Sequence, residues 1–201
     1  MLDRYATALI KPAVTVVGQR LARAGVTADQ LTLVGFLIGL SAAFLIASGA
    51  YMTGATGIFL SRICDALDGA VARQGAATDR GGFLDIALDF LFYASIPLAF
   101  AFSDPTRNAL AAATLLAAFV GTASSFLAFA AIAAKRGLHS TDYPDKSLYF
   151  LGGLTEATET LAMFTAMCIW PQHFATLAYV FAAACCITIA TRLWYGWKAL
   201  A

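Results

Sequence analysis

Residues 61–90 read SRICDALDGAVARQGAATDRGGFLDIALDF and contain five of the 12 acidic residues in a chain of 201. The residues on both sides of this stretch are mainly Ala, Leu, Ile and Phe. A carboxylate inside an apolar segment is costly to bury, and intramembrane carboxylates are therefore typical of functional sites. The stretch predicts that the chemistry of the protein lies here.

The composition of the whole chain is typical of a membrane protein. Hydrophobic residues make up 60% of the chain and charged residues 12%, and the mean hydropathy is +0.75. A soluble domain carries about 25% charged residues. The net charge of +1 gives no support for a nucleic-acid partner, because such partners bind strongly basic surfaces.

Long apolar runs predict an all-α integral membrane protein with six transmembrane helices. The hydrocarbon core of a bilayer requires about 20 apolar residues for each helical span. The candidate spans are residues 31–50, 53–73, 82–103, 108–134, 153–170 and 173–196. They form one predicted six-helix bundle over residues 31–196, in a single domain over residues 1–201.

The segment before the bundle, residues 1–24, predicts an amphipathic helix that lies along the membrane surface. Its apolar residues recur at roughly helical spacing with basic residues between them, a pattern typical of interfacial helices in contact with membrane lipids. The apolar positions are Leu2, Leu9, Ile10, Val14, Val17 and Leu21. A partly ordered tail is the alternative for this segment.

The distribution of Lys and Arg predicts the orientation of the bundle. In the six-span arrangement all 13 basic residues except Arg107 fall on one side of the membrane. The positive-inside rule places that side in the cytoplasm. We therefore expect a multi-pass protein of the inner (cytoplasmic) membrane, with both termini and the aspartates facing the cytoplasm.

Four of the five aspartates are spaced so that they can meet. Asp65 and Asp68 are three residues apart, Asp85 and Asp89 are four apart, and each pair shares one face of a helix. The two spans are antiparallel neighbours, so their cytoplasmic ends lie side by side. Two divalent cations, Mg²⁺ or Mn²⁺, would neutralise the four carboxylates and could clamp a phosphate group. Asp79 falls in the connecting loop and is predicted to be solvated.

Two other interpretations of the aspartates need no enzyme. In the first, the nearby Arg62, Arg73 and Arg80 neutralise them in a structural ion-pair cluster. In the second, the carboxylates belong to a divalent-cation transporter, because intramembrane carboxylates also mark ion pathways. The aspartates cluster at one membrane face rather than at the midplane, which argues against a transport pathway.

The complete spacing carries a family resemblance. Asp65-x2-Asp68-Gly69-x2-Ala72-Arg73-x7-Gly81-x3-Asp85-x3-Asp89 resembles the motif DxxDGxxAR-x7/8-GxxxDxxxD of the CDP-alcohol phosphotransferase (CDP-alcohol phosphatidyltransferase) family at every fixed position. The preceding GVTADQLTLVGF is similar to the TPNxxT segment of that family. Ala28 and Asp29 replace its Pro and Asn, which leaves Thr32 as the clearer match. The resemblance implies six transmembrane helices after a juxtamembrane amphipathic helix, and a homodimer.

The resemblance also implies a role for each motif residue. Asp65, Asp68, Asp85 and Asp89 would be metal ligands. Asp89 would in addition be the general base that removes the proton of the acceptor hydroxyl. The residues implied in binding the CDP donor are Thr32, Asp65, Gly69, Ala72, Arg73 and Thr78.

The reaction implied is attack of an alcohol on the β-phosphorus of a CDP-linked donor, with release of CMP, in phospholipid biosynthesis. The first choice of donor is CDP-diacylglycerol, with a small alcohol as acceptor. The alternative is a CDP-amino-alcohol phosphotransferase of the choline or ethanolamine type, which acts on diacylglycerol.

The acceptor is left open by the sequence. Arg192, near the end of the last span, suits a phosphorylated alcohol, although an arginine there can also extend to the membrane surface. Glu156 and Glu159 would repel a phosphate and suit a neutral polyol or an amino alcohol, unless they pair with nearby basic residues. Ser124 could line the same cavity, or its hydroxyl could bond within its own helix.

Overall fold

The computed structural model describes residues 3–75, 78–137 and 153–201, with side chains from residue 8 onward. Every regular element in these ranges is helical and none is a strand, which confirms the all-α prediction. The α-helices are α1 Asp3–Arg23, α2 Ala28–Ala47, α3 Tyr51–Ala72, α4 Asp79–Ser103, α5 Pro105–Lys135, α6 Ala157–Ile169 and α7 Phe174–Leu200. A single 3₁₀ turn, Pro171–His173, precedes α7.

Helix α2 begins before the predicted boundary at residue 31 because of a capping box at its start. Thr27 Oγ1 accepts a hydrogen bond from Gln30 N at 3.3 Å, and Gln30 Oε1 accepts one from Thr27 N at 3.0 Å. This reciprocal pair satisfies two backbone donors at the helix N-terminus. Gly25, with φ +83°, provides the turn between α1 and α2.

Four helical segments among the described residues are long and apolar enough to cross a membrane: α2, α4, α5, and α7 with its leading turn. Helix α3 carries Arg62, Asp65 and Asp68 in its second half and falls outside this group. Helix α6 has 13 residues, about 20 Å at the usual rise per residue. The six-span count therefore remains a prediction, and the span predicted at 153–170 is a helix only from Ala157.

Helix α1 covers Asp3–Arg23 of the predicted amphipathic segment, residues 1–24. It packs against α3, where a Cβ added at Gly18 would lie 2.6 Å from the Cβ of Ala70. The side chain of Leu9 is exposed. The position of α1 on a membrane surface remains a prediction.

The apolar core lies in the part of the bundle beyond the aspartates. It is built on fully buried aromatic rings of α4, α6 and α7, and Phe100 stacks on Phe174 with ring centroids 4.5 Å apart. The other large members include Phe92, Ile96, Leu115 and Phe164. Because Phe92, Ile96 and Phe100 follow Asp89 along α4, the core fixes one end of the bundle and leaves the other end for polar groups.

Small residues on α2 bring it close to both helices that carry the aspartates. A Cβ at Gly35 would lie 2.8 Å from Cys64 Cβ of α3, and one at Gly39 would lie 2.5 Å from Phe92 Cδ2 of α4. Glycine at these two positions permits the close approach. Helix α2 thereby forms the third wall around the aspartates.

Candidate metal centre

Three aspartates from two helices meet at the polar end of the bundle. Asp65 and Asp68 lie on α3, and Asp85 lies on α4. Each offers one carboxylate oxygen, and the three oxygen atoms lie within 4.8 Å of one another. Asp68 is the most buried, at 5% exposure. Three converging carboxylates fit a hard divalent cation such as Mg²⁺ or Mn²⁺, because these cations prefer oxygen ligands.

Thr32 connects the start of α2 to this cluster. Its Oγ1 lies 2.7 Å from Asp68 Oδ2 and 3.0 Å from the carbonyl oxygen of Ala28. A hydroxyl that donates to a carboxylate fixes the orientation of that carboxylate and leaves its other oxygen available. The structure thus places Thr32 beside the aspartates, as a neighbour of Asp68.

Asp89 is paired with an arginine. Arg62 Nη1 lies 2.7 Å from Asp89 Oδ1 and 3.3 Å from Asp65 Oδ1. Part of the ion-pair cluster that the sequence left open is therefore present. Arg80 bonds elsewhere, with its Nη2 2.7 Å from Asp29 Oδ2. Among the ion pairs of the described residues, Arg62 is the arginine that reaches the aspartate cluster, where it pairs with Asp65 and Asp89.

The guanidinium of Arg62 lies in a largely buried position between α3 and α4. Its Cζ is 4.1 Å from the centroid of the Phe92 ring, and its Nη2 is 3.4 Å from the hydroxyl oxygen of Ser61. Among the residues that the structure describes, the buried Nε has no hydrogen-bond partner. The guanidinium is therefore held by charge and by ring stacking more than by complete hydrogen bonding.

The remaining motif residues predicted to bind the donor lie at the C-terminal end of α3 and the N-terminal end of α4. Thr78 is the N-cap of α4, and its Oγ1 accepts a hydrogen bond from Gly81 N at 3.0 Å. Arg73 is exposed at the C-terminus of α3, and a Cβ added at Gly69 would lie 3.3 Å from Arg73 Nη1. Ala72 is the last residue of α3. These residues therefore lie where the chain passes from α3 to α4.

A small pocket, partly open to solvent, lies between α2, α3 and α4. Its lining consists of the four aspartates together with Thr32, Gly35, Phe36, Ser61, Arg62 and Leu88. Sequence reasoning did not assign Gly35, Phe36, Ser61 or Leu88 to the site. The signal that could have found Gly35 is the spacing Gly35-x3-Gly39, which is typical of close contacts between membrane helices.

Three of the four predicted acceptor residues, Glu156, Glu159 and Arg192, form a second polar cluster. None of the four lines the aspartate pocket. Arg192 of α7 is 9% exposed, and its Nη1 donates to the carbonyl oxygen of Thr122 at 3.1 Å. The carboxylate of Glu156 attracts this guanidinium. Ser124 is exposed, and its Oγ donates to the carbonyl oxygen of Gly121 at 3.2 Å. The hydroxyl of Ser124 thus bonds within its own helix.

The two glutamates of this cluster also have a local structural role. Glu159 Oε2 accepts a hydrogen bond from Glu156 N, and Glu156 Oε1 accepts one from Gly153 N, both at 3.2 Å. These bonds satisfy backbone donors at and before the N-terminus of α6. Acidic side chains at this position are explained by helix capping without any bound amino alcohol.

Comparisons of this chain with known proteins agree on one family. The profile of the CDP-alcohol phosphatidyltransferases matches residues 25–194. The chain is 50% identical over 200 residues to the inner membrane protein YnjF of Escherichia coli, covering 100% of this chain and 97% of that protein. It is 39% identical over 111 residues to an archaetidylinositol phosphate synthase of Pyrococcus horikoshii, covering 52% of this chain and 56% of that enzyme.

Solved structures share the fold. A phosphatidylinositol phosphate synthase of Mycobacterium tuberculosis with CDP-DAG bound superposes with a TM-score of 0.72 at 24% identity, over 92% of this chain and 93% of that one. The same enzyme in complex with manganese and citrate gives a TM-score of 0.71 at 24% identity, over 92% and 88% of the two chains.

Proposed function

Since the chain belongs to the CDP-alcohol phosphatidyltransferase family, we propose that it transfers a phosphatidyl group from CDP-diacylglycerol to the hydroxyl of a small alcohol. The observation that carries this proposal is the convergence of Asp65, Asp68 and Asp85 within 4.8 Å beside a pocket. The coarser activity, CDP-alcohol phosphotransfer in membrane lipid synthesis, follows from the family itself. Membership of an enzyme family decides against the cation transporter.

The donor assignment draws support from a fold relative, since the similar mycobacterial synthase has CDP-DAG bound. We assign the diphosphate of the donor to the open ends of α3 and α4. Arg73 offers a planar set of donors there, and Gly69 leaves room beside it. Asp65, Asp68 and Asp85 would hold two divalent cations, Mg²⁺ or Mn²⁺, together with Asp89. When bound, these ions neutralise phosphate charge and make a coordinated hydroxyl more acidic.

The residues of the chain would act on the acceptor as follows. The acceptor oxygen forms a bond to the β-phosphorus of the donor, the bond between that phosphorus and the bridging oxygen breaks, and CMP leaves with the electron pair. Asp89 takes the proton of the acceptor hydroxyl. Thr32 keeps Asp68 oriented through its 2.7 Å hydrogen bond. Phe36 and Leu88 contribute apolar walls to the pocket, which reduces competition from water.

For the acceptor we propose a phosphorylated alcohol. The buried Arg192 is a permanent cation suited to a phosphate. Glu156 and Glu159, which had favoured an amino alcohol, bond to backbone donors at the start of α6. The names of two relatives, an archaetidylinositol phosphate synthase and a phosphatidylinositol phosphate synthase, point in the same direction.

The test is release of CMP by the purified protein in lipid nanodiscs. CDP-diacylglycerol is offered with inositol 1-phosphate, glycerol 3-phosphate, inositol or serine, each with Mg²⁺, with Mn²⁺ and with a chelator. We expect turnover that requires a divalent cation and a phosphorylated acceptor. If CMP appears only from CDP-choline or CDP-ethanolamine with diacylglycerol, the donor assignment is wrong. An Asp68→Asn variant controls for contaminating activity.

We further propose that the protein is a homodimer in the inner membrane, with the aspartates at the cytoplasmic face. The distribution of Lys and Arg supports this orientation. A fluorescent protein fused after Ala201 should fold and fluoresce, because it would remain in the cytoplasm. A fusion that is dark and accessible from the periplasm would contradict the orientation. Light scattering of the purified protein measures the oligomeric state.

A further inference from the structure

Arg62 is bound to the same carboxylates that the proposed function assigns to divalent cations. Its Nη1 lies 2.7 Å from Asp89 Oδ1 and 3.3 Å from Asp65 Oδ1. We propose that Arg62 competes with the second divalent cation for Asp65 and Asp89. This cation then binds firmly only after the diphosphate of the donor has arrived. The inference rests on the proposed function and deepens it.

The geometry separates the four aspartates into two groups. Asp65, Asp68 and Asp85 bring their oxygen atoms within 4.8 Å of one another, and Asp89 is not part of that group. The carboxylate of Asp89 is instead bonded to Arg62. A first cation therefore has three carboxylates at hand without disturbing Asp89. A second cation that uses Asp89 must share that carboxylate with a guanidinium.

Formal charge explains why the second cation would depend on the donor. Four ionised aspartates carry four negative charges, and Arg62 with one divalent cation supplies three positive charges. The site then carries a small net negative charge. A second divalent cation beside Arg62 would make the net charge of the site positive. Repulsion between these cations is strong in a partly buried site, where the effective dielectric constant is low. The diphosphate of the donor brings about two negative charges and removes the excess.

The guanidinium of Arg62 is largely buried but incompletely hydrogen-bonded. The Phe92 ring supports the guanidinium from one side at 4.1 Å. The contact with Ser61 Oγ is long, at 3.4 Å, and the buried Nε has no hydrogen-bond partner in the described part of the chain. A buried donor without a partner costs free energy. A guanidinium held mainly by charge gives way when a stronger cation takes its carboxylates, and it returns when that cation leaves.

The experiment is a titration of the purified full chain in nanodiscs with Mn²⁺. Electron paramagnetic resonance and calorimetry measure the binding of each ion. Without nucleotide, wild type should bind one Mn²⁺ firmly and a second at least about tenfold more weakly. Addition of CDP as a probe should strengthen the second step and produce magnetic coupling between two Mn²⁺ ions. Arg62→Gln should bind both ions firmly without CDP, because the competing charge is gone.

Two variants make this result specific. Arg80→Gln removes a positive charge that pairs with Asp29 instead of the cluster, so both Mn²⁺ steps should match wild type. Asp89→Asn should lose the second step and keep the first. Arg62→Lys keeps the charge and should leave the second step weak, which separates charge competition from a change of shape.

Equal, firm binding of two Mn²⁺ ions to wild type without CDP would overturn the competition and leave the proposed function standing. An unchanged second step in Arg62→Gln would do the same. If wild type binds no Mn²⁺ with or without CDP, both the inference and the metal part of the proposed function are wrong. If Arg62→Gln does not fold, the response of wild type to CDP and the behaviour of Arg62→Lys still decide the question.

Discussion

The hydroxyl of Thr32 lies 2.7 Å from Asp68 Oδ2, although the two residues are 36 positions apart in the chain. This contact joins the first turns of α2 to the second half of α3. Asp68 is 5% exposed, and a carboxylate buried to this extent requires hydrogen-bond donors or cations around it. Thr32 supplies one such donor and holds one oxygen of Asp68 in place.

Replacing Thr32 by Val should lower the affinity for divalent cations and the rate of CMP release by about tenfold or more. Loss of a hydrogen bond that orients a metal ligand typically has an effect of this size. Thr32→Ser keeps the hydroxyl and should behave like wild type. The matched control is Thr56→Val, because Thr56 is exposed and its hydroxyl bonds to the carbonyl oxygen of Met52. Equal activity of Thr32→Val and Thr56→Val would refute the positioning role.

Asp89→Asn and Asp68→Asn should impair different properties, the first the rate of CMP release and the second the binding of the first cation. Asp89→Asn should lower the rate of CMP release by about a thousandfold, since a general base is lost, while firm binding of the first cation remains. Asp68→Asn should lose affinity for that cation, because it removes one of three converging carboxylates. Measuring CMP release and Mn²⁺ binding on the same preparations separates the effect on catalysis from the effect on cation binding. The base assignment fails if Asp89→Asn turns over like wild type.

Gly35→Ala should destabilise the protein and disturb the site together. The added Cβ would lie 2.8 Å from Cys64 Cβ and 3.3 Å from the carbonyl oxygen of Ser61, so α2 must move away from α3. Overpacking of this kind costs about 1–3 kcal/mol. Gly82→Ala is the control, because no atom of the described residues lies within 4 Å of its added Cβ. Thermal unfolding in detergent should show a lower Tm for Gly35→Ala alone, and an unchanged Tm would contradict this account of the helix contact.

Arg192→Gln should raise the KM for a phosphorylated acceptor by about tenfold or more, since a charge-assisted contact to phosphate is lost. The KM for CDP-diacylglycerol should change little, because Arg192 does not line the aspartate pocket. Arg107→Gln serves as the control, as this exposed arginine donates to the carbonyl oxygen of Gln172. A rise in the donor KM with no change in the acceptor KM would contradict the proposed acceptor position.

Glu159→Ala should lower the free energy of unfolding by about 1 kcal/mol, the usual cost of losing a helix cap. Glu159→Gln keeps an oxygen that can accept the hydrogen bond from Glu156 N and should retain both stability and activity. Chemical denaturation measures the stability of the two variants, and steady-state kinetics measures their KM for the acceptor. A large rise in acceptor KM for Glu159→Gln, without loss of stability, would instead indicate that the carboxylate itself contacts a cationic acceptor.

Much of the site could be predicted from local spacing. Residues three or four apart lie on one face of a helix wherever that helix packs, so the pairs Asp65–Asp68 and Asp85–Asp89 were visible without coordinates. The all-α fold was equally accessible, because long apolar runs have few alternatives to helix in a membrane. The start of the span predicted at 153–170 was harder to predict, because hydrophobicity does not show that the helix begins at Ala157.

The sequence by itself determined the helices, the family motif and the face on which each aspartate lies, because these depend on residues close together in the chain. Only the tertiary structure decided which groups meet across helices. Arg62 pairs with Asp89, Arg80 pairs with Asp29, and Thr32 bonds to Asp68. The physical reason is that such pairs depend on the distance and rotation between packed helices. Small residues such as Gly35 permit a close approach, but the spacing along one helix does not fix which side chains of another helix it meets.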